Sequence, residues 1–250
     1  MALQGTWLKI DRACEHLEAF EDALPDFRKR DPCHWADETD PNTGDKIWRV
    51  QGRPLDPPVE WNVIIGDALY NFRSALDHLA WQLVLANGNT PTRHTAFPIC
   101  TSASLYAQSS PRKVKRMSKT AIALIEETQP CFGRNPHRNK LLAWLDGLHN
   151  VDKHRHLNLT VAATIGGLWF PGLPVVAHEE VFIYEGPVED GTELARVPQK
   201  YAYVQFAPAT DVAFGDGTPA SGESVFAVLI GIRELLISLG VVSQFHQFFR

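Results

Sequence analysis

Residues 65–83 read IGDALYNFRSALDHLAWQL, and this stretch lies within the clearest helical pattern of the chain. Its apolar side chains recur at steps of three and four residues, which places them on one arc of a helix. They are Ile65, Ala68, Leu69, Phe72, Ala75, Leu76, Leu79 and Leu83. The pattern predicts a helix over about residues 59–87, entered after Pro57 and Pro58, whose apolar arc faces a core.

Polar residues interrupt this helix in its middle. Arg73 and Asp77 are four residues apart, so they can form an ion pair along the helix. Arg73 and His78 lie on the two borders of the apolar arc, about 140° apart at 100° per residue. One of them can therefore be partly buried while the other borders a cleft.

Similar periodicities extend outward on both sides of this helix. They predict further helices near residues 6–28, 118–128, 138–156 and 223–249, with an interruption near Gly240 in the last. Turn-forming residues between short apolar stretches predict a hairpin with strands near 33–38 and 46–51. Strands are also predicted at 157–165, 181–184, 192–197 and 201–206, with a hairpin turn at 188–191, and loops at 88–117 and 208–222.

These elements predict an α+β protein. About five helices would form a bundle from residues 1–156 and 223–250, with a small antiparallel β element inserted at about 157–208. Because the last helix is expected to return to the bundle, we expect a single domain over residues 1–250. That helix is apolar on nearly every side, which favours a homodimer or larger assembly.

The composition of the 250 residues is that of an ordinary globular protein, with 44% hydrophobic and 21% charged residues. No stretch reaches the roughly 18 apolar residues of a membrane span, and the first residues lack the pattern of a secretion signal. The four cysteines show no paired spacing. We therefore expect a cytoplasmic protein without membrane partners.

The net charge of −5 is unevenly distributed along the chain. Residues 93–156 hold 11 Lys and Arg against 4 Asp and Glu, whereas the segments on either side are acidic. A basic block in an acidic protein can bind anions or nucleic acid. It can equally be a solvated helix face balanced by acidic neighbours.

A second polar motif, HNVDKHRH at residues 149–156, closes the predicted helix that starts near residue 138. Its polar side chains recur at helical spacing, as does Asp146 before them, so they form a stripe opposite the apolar face. Two polar motifs beside apolar stripes predict one shared site. We expect side chains of Asn71, Asp77 or His78 to contact Asn150, Asp152 or His154.

The Arg73–His78 pair resembles the signature of HEPN-type proteins, a helical superfamily marked by an Arg, four to six residues of any type, and a His. Many members are metal-independent ribonucleases that act as dimers. The resemblance implies His78 as general base or orienting group and Arg73 as phosphate clamp. The positioning groups would be Asn71, Asp77, Asn150, Asp152, Lys153, His154 and Arg155.

Such chemistry is reasonable because a His titrates near neutral pH and can accept the proton of a ribose 2′-hydroxyl. An Arg keeps its charge while negative charge builds on phosphate. The stretch GDALYNFRSALDHL at 66–79, with NVDKHR at 150–155, also looks like a widespread bacterial family of unassigned function. That resemblance implies no activity.

Three alternatives remain open. Arg73 and Asp77 can be a structural pair, with His78 a hydrogen-bonded border residue. The Asp and His residues of both motifs can bind a metal in a helical-bundle enzyme, although Lys153 disfavours a cation. The pairs Asn150–His154 and His149–Lys153 have the required spacing, but neither joins two good ligands. The chain can also be a non-catalytic ligand-binding or assembly protein. We expect neither metal nor other cofactor.

Overall fold

The computed structural model describes residues 2–169, 181–201, 203, 205–237 and 241–249, with side chains left out at 165–169 and 207–208. Its helices and small antiparallel sheets confirm the α+β class. The Cα positions divide the chain into two compact units. Unit 1 comprises residues 1–20, 60–157 and 226–250, and unit 2 comprises 21–59 and 158–225. The expectation of a single domain stays a prediction.

Unit 1 is helical. It contains the first part of α1 (Gln4–Lys29) and all of α2 (Trp61–Ala86), α3 (Ala103–Lys113), α4 (Lys119–Glu127) and α5 (Pro136–Asp152), and nearly all of α6 (Val225–Ile237). A 3₁₀ helix, Ser243–Phe249, follows α6. Ser118 caps α4 by accepting a hydrogen bond from the Ala121 amide, and Asn135 caps α5 in the same way.

The predicted apolar arc of α2 is buried as its spacing requires. The side chains of Ile65, Leu69, Phe72, Leu76 and Leu79 have no exposed surface. Fully burying side chains of this size contributes roughly 1.5–3 kcal/mol each, before the entropy of ordering the chain is subtracted. This face of α2 is therefore the centre of the core of unit 1.

Close helix approaches in unit 1 require small residues at two positions. A Cβ on Gly66 of α2 would lie within 2.7 Å of the carboxylate carbon of Asp152 at the end of α5. A Cβ on Gly231 of α6 would lie 2.8 Å from Leu141 Cδ2 on α5. Glycine thus lets both helices pack closely against α5.

A buried glutamine side chain holds the segment that follows α2 in place. Gln129, after α4, is fully buried and accepts from the Cys100 amide at 3.0 Å. Its Nε2 donates to the carbonyls of Pro98 and Ile125 at 2.9 and 3.0 Å. A glutamine that satisfies both its amide atoms in this way can be buried without a net cost.

Unit 2 holds the strands in two sheets. The first has the order β1 (Trp35–Thr39), β2 (Lys46–Val50), β6 (Glu193–Val197), β4 (Phe182–Ile183), and the second has the order β5 (Gly186–Pro187), β3 (Leu159–Trp169), β7 (Gln205–Phe214). All pairings are antiparallel. The predicted hairpin at 33–51 is confirmed, and it belongs to the same sheet as two of the strands predicted in the inserted β element.

Arginines of unit 2 are matched by carboxylates. Arg49 bonds Glu38 and Glu193 at 3.0 and 3.1 Å, and Arg196 bonds Glu193 and Asp40 at 2.8 and 2.9 Å. The hydrogen bond from Arg196 lowers the pKa of the Glu193 carboxyl below its ordinary value. The cross-strand pairs keep these charges in register on the sheet.

The prediction of a loop over 88–117 is wrong in its second half, where α3 forms. The segment carries Pro111 and many small polar residues, so its apolar period is weak. Ser102 nevertheless supplies an N-cap, accepting from the Leu105 amide, and burial of Tyr106 holds the helix in place. The described residues therefore contain six α-helices, where about five were predicted.

Two predicted helix ends are also corrected. α5 ends at Asp152 rather than near residue 156, because the His154 and Arg155 amides turn back to the Val151 carbonyl. The last predicted helix is α6 as far as Ile237 and a 3₁₀ helix over Ser243–Phe249, while Gly240, where the interruption was predicted, lies outside the described residues. Cationic residues after α5 suit the negative end of a helix.

The strand predicted at 201–206 is confirmed only at 205–206, and the loop predicted at 208–222 is wrong over 208–214, which belong to β7. Residues Gln199–Tyr201 form a 3₁₀ turn, and β7 continues to Phe214. Pro208 weakened the strand prediction, yet it lies where the β3–β7 register shifts, on an edge strand. Proline is tolerated there because an edge or bulge leaves its missing N–H without consequence.

Candidate functional site

Arg73 of α2 is the centre of a hydrogen-bonded network in unit 1. Its side chain is 9% exposed, and each of its three nitrogens donates to the protein. Nη1 donates to Asp77 Oδ1 at 2.7 Å, Nη2 to the Phe97 carbonyl at 2.8 Å and Nε to Asp146 Oδ1 at 3.3 Å. The predicted Arg73–Asp77 ion pair is confirmed.

Asp77 completes a ring with the backbone of Phe97. Its Oδ1 accepts both from Arg73 and from the Phe97 amide, the latter at 2.9 Å. Arg73 thus bonds the carbonyl of Phe97 and Asp77 bonds its amide, although Phe97 lies 20 positions after Asp77 in the sequence. This arrangement fastens the segment after α2 to the helix, and it occupies the guanidinium with internal acceptors.

His149 of α5 lies beside this network and is 6% exposed. Burial, followed by the nearby charges of Lys153 and Arg73, lowers its pKa to about 4. The imidazole is therefore neutral at pH 7, with its ring centre 5.9 Å from that of Tyr70. Its Nε2 is buried and has no hydrogen-bond partner among the described residues.

Asn71 contacts α1 rather than α5 in the bonds that the structure shows. Its Oδ1 accepts from Lys9 Nζ at 3.1 Å, and its Nδ2 donates to the Asp67 carbonyl at 2.8 Å. Lys9 also lies over the ring of Tyr70, 5.5 Å from its centre. These contacts fix the polar side of α2 against the first helix.

His78 is exposed, whereas Arg73 is buried, so the two borders of the apolar arc have opposite environments. His78 lies against α1, where a Cβ on Gly5 would come 2.7 Å from its Nδ1. Within the described ranges, no hydrogen bond or ion pair joins His78 to Arg73. Their joint action on one phosphate stays a prediction.

The two motifs are joined through Asp146, which precedes the second motif. Asp146 accepts from Arg73 and, through Oδ2, from Asn150 Nδ2 at 3.2 Å. Asp152 lies against Gly66, and burial raises its pKa, with the charge of Asp67 acting in the same direction. The predicted direct contacts of Asn150, Asp152 or His154 with Asn71, Asp77 or His78 do not appear among the bonds that the structure shows.

The cationic end of the second motif is exposed. Lys153, His154, Arg155 and His156 lie in the turn after α5 and have exposed side chains. Of these, Lys153 acts electrostatically on the buried His149. In the part of the chain with described coordinates, no three His, Cys, Asp or Glu side chains are placed to hold a metal ion.

A second candidate surface is formed by a part of unit 1 without carboxylates. Residues 78–125 contain no Asp or Glu, but they carry six cationic side chains: Arg93, Arg112, Lys113, Lys115, Arg116 and Lys119. All except Lys113 are exposed. Across the described residues, none of the six forms an ion pair.

Two segments of this region are held together, and we call residues 87–97 and 112–119 the basic platform. The Arg116 carbonyl accepts from the side-chain amides of Asn87 and Asn89, each at 3.0 Å. Arg116 Nη1 in turn donates to the Thr90 carbonyl at 2.8 Å. Arg116 has a φ of +77°, a left-handed conformation that costs free energy, so its surroundings must impose it.

At one place on the platform, two arginines converge on a single histidine. Arg93 Nε donates to His94 Nε2 at 3.3 Å, and Arg112 Nη2 lies 3.0 Å from the same atom. The loop that carries His94 is closed by two hydrogen bonds, each of 2.9 Å. The Thr92 amide donates to the Thr95 hydroxyl, and the Thr95 amide donates to the Thr92 carbonyl. The platform is therefore ordered by its own hydrogen bonds.

A pocket of about 830 Å³ lies elsewhere in unit 1, at the start of α5. Its lining includes two arginines and two glutamates: Arg134, Arg138, Glu126 and Glu127. This mixture of charges does not favour a phosphate over other ligands.

Sequence reasoning named Asp146 and His149 as parts of a polar stripe, but it did not place them at the network of Arg73. The Phe97 backbone and Lys9 were missed altogether. No local pattern identifies such partners, because Phe97 is 24 positions from Arg73, and Lys9 is 61–62 positions from Tyr70 and Asn71. The absence of carboxylates over 78–125 is, in contrast, visible in the sequence. It would have limited the basic segment predicted at 93–156 to residues 93–125.

No protein-family model matches this chain, and neither the curated proteins nor the solved structures include a match to it. No helix among the described residues is both long enough and apolar enough to cross a membrane.

Proposed function

We propose that this chain is a HEPN-like RNA-binding protein and that it binds RNA through the basic platform of unit 1. The observation that carries this proposal is the stretch 78–125, whose six cationic side chains have no carboxylate among their neighbours in sequence and no ion-pair partner among the described residues. The resemblance of the α2 motif to HEPN-type proteins supports RNA as the polyanion.

The charges on the platform are suited to phosphate. Lys and Arg side chains that are already paired with carboxylates, such as Arg49 and Arg196 in unit 2, gain little from a phosphate because they must give up a partner. The platform cations face water and have no such partner. Phosphate neutralisation by free cations provides most of the affinity of sequence-independent nucleic-acid binding.

Binding is favoured over cleavage by the environment of Arg73. A phosphate clamp needs a guanidinium that can turn its N–H groups toward the ligand, whereas three of the five N–H groups of Arg73, one on each nitrogen, already donate inside the protein. Releasing it would leave Asp146 and Asp77 without their cation, which is costly for partly buried carboxylates. We therefore assign Arg73 to the architecture of unit 1 and the anion contacts to the platform.

The homodimer stays a prediction. Among the described residues of α6, most apolar side chains are buried within the single chain, Phe226, Ile230 and Ile237 are half-buried, and Ala227 is exposed. Exposed apolar side chains do occur along α2, at Val63, Tyr70, Trp81 and Leu85. Light scattering at high concentration measures the oligomeric state directly.

RNA binding is tested by fluorescence anisotropy with a labelled single-stranded RNA at several salt concentrations. We expect affinity to fall linearly on a log–log plot as salt rises, with about 0.7 units of slope per phosphate neutralised. The double variant Lys115→Glu/Lys119→Glu should weaken binding at least tenfold, because both exposed cations become repulsive.

Arg30→Glu supplies the matched control, since Arg30 is exposed in unit 2 and has no ion pair among the described residues. It should change RNA affinity less than twofold. Equal losses in the control and the double variant would refute a localised binding surface. RNA cleaved in the presence of a chelator, with cleavage lost in His78→Ala, would instead return Arg73 and His78 to a catalytic mechanism.

A further inference from the structure

We propose that Arg93, His94 and Arg112 form a preorganised site for one phosphate group of an RNA backbone. This inference rests on the proposed RNA binding for the identity of the polyanion. The anion site itself follows from the geometry of the three side chains. They are all exposed, and none of them has a carboxylate partner among the described residues.

The two guanidinium groups share one acceptor. Arg93 Nε and Arg112 Nη2 lie 3.3 and 3.0 Å from His94 Nε2, so these two nitrogens are no more than 6.3 Å apart. Arg112 Nη2 also lies 3.4 Å from His94 Nδ1, so it approaches both ring nitrogens. A guanidinium can only donate and a neutral imidazole has one acceptor nitrogen, so one acceptor serves two cationic donors. The remaining N–H groups of both arginines have no acceptor among the described residues.

Such a convergence of like charges needs an anion to be fully satisfied. A phosphodiester presents two non-bridging oxygens, and each can accept from a guanidinium fork. Placed beside the pair, its single negative charge would lie between the two cations, and its oxygens would accept the donors that His94 leaves unserved. A carboxylate has the same charge and the same number of terminal oxygens, so the choice of a phosphodiester rests on the proposed RNA binding.

The backbone beneath the site is ordered before any ligand binds. The Thr92 amide donates to the Thr95 hydroxyl at 2.9 Å, and the His94 amide approaches the Thr92 hydroxyl at 3.3 Å. The Ala96 amide then reaches the carbonyl of Lys113, next to Arg112, at 3.3 Å. A site fixed in this way loses less entropy when it binds its ligand.

Lys113, Lys115 and Arg116 extend positive charge along the platform beyond the site. Neighbouring phosphates of the same strand would contact these cations, so the site at Arg93, His94 and Arg112 would fix the position of the RNA strand along the platform. The pocket at the start of α5 lacks this property, because its lining contains two glutamates as well as two arginines.

The test uses the full chain, a labelled ten-nucleotide single-stranded RNA, and inorganic phosphate as a separate small probe. Arg93→Gln/Arg112→Gln removes both guanidinium groups, and Arg93→Lys/Arg112→Lys keeps the charge but removes the planar forks. Arg30→Gln/Arg53→Gln, which removes the same charge from exposed positions of unit 2, is the matched control. Circular dichroism verifies that each variant is folded.

We expect the Gln pair to weaken RNA binding about tenfold and to reduce the salt slope by about 0.7, the equivalent of one phosphate contact. The Lys pair should lie between the Gln pair and the wild type, and the control should change binding less than twofold. The imidazole NMR signals of His94 should shift with RNA and with millimolar phosphate, and the Gln pair should abolish both shifts.

The outcomes separate this site from the proposed function. RNA binding that survives unchanged in the Gln pair, with no shift at His94, would overturn the site and leave RNA binding intact. A wild type that binds no RNA but shows a phosphate-dependent shift at His94 would overturn the proposed function and support the anion site. A wild type with neither response would overturn both.

Discussion

Replacing Arg73 by methionine removes a buried side chain that makes three hydrogen bonds in unit 1, while keeping much of its aliphatic volume. The change deletes the bonds to Asp77, Asp146 and the Phe97 carbonyl together. It leaves two carboxylates without their cation and one buried carbonyl without its donor. The consequence should be a large loss in the free energy of unfolding.

The size of this loss follows from burial. Breaking a buried ion pair by removing one partner costs about 3–5 kcal/mol. Here the Arg73 side chain is 9% exposed, but those of Asp77 and Asp146 are 40% and 31% exposed, so water can solvate the carboxylates that remain. We therefore expect a loss of about 3 kcal/mol, at the lower end of the range.

Urea unfolding with linear extrapolation measures this loss. Arg12→Met is the matched control, because Arg12 is 59% exposed and its one ion-pair partner among the described residues is Glu15, so its loss should stay below about 1 kcal/mol. Arg73→Lys should lie between the two, since one ammonium cannot serve three separated acceptors.

Hydrogen exchange supplies a local measurement. The Phe97 amide donates to Asp77, whose carboxylate Arg73 holds in place, so this amide should exchange faster in Arg73→Met than in the wild type. The reasoning would be refuted if Arg73→Met destabilised the protein no more than Arg12→Met and left exchange at Phe97 unchanged. Arg73 would then be free for another role, including the phosphate clamp that the HEPN resemblance implies.

Two further predictions concern the buried histidine and metal content. Burial lowers the pKa of His149 from 6.5 to about 4, so on acidification this histidine is protonated in the unfolded chain before it is protonated in the folded chain. Its contribution to the free energy of unfolding is therefore fully present above about pH 6.5 and is lost as the pH falls toward 4. Between pH 7 and pH 5 the free energy of unfolding should fall by about 2 kcal/mol because of His149. The variant His149→Gln should not show this fall. Parallel profiles of stability against pH for the two proteins would contradict the assignment. Elemental analysis should find no stoichiometric zinc, iron or manganese in the purified protein, since Lys153 and Arg155 disfavour a cation beside His154. One tightly held metal per chain, lost in His154→Ala, would support the metalloenzyme alternative.

The sequence by itself determined the elements that have a strong local signal. The apolar period of α2 and the turn residues of the β1–β2 hairpin are encoded within a few positions, and both elements appear within two residues of the predicted bounds at each end. The Arg73–Asp77 pair is equally local, because a spacing of four residues places both side chains on one helix face. Weak local signals failed instead, as at α3 and at the end of β7, where tertiary contacts decide the structure.

Only the tertiary structure decided which polar residues form a site. Periodicity placed Arg73 and His78 on two borders of one helix, but the packing of the rest of the chain buried the first and exposed the second. The partners of Arg73 include Asp146, 73 positions away, and the arginines on His94 are 19 positions apart in sequence. Such pairings depend on the path of the chain between the partners, and that path is fixed by the burial of many apolar side chains at once rather than by any local pattern.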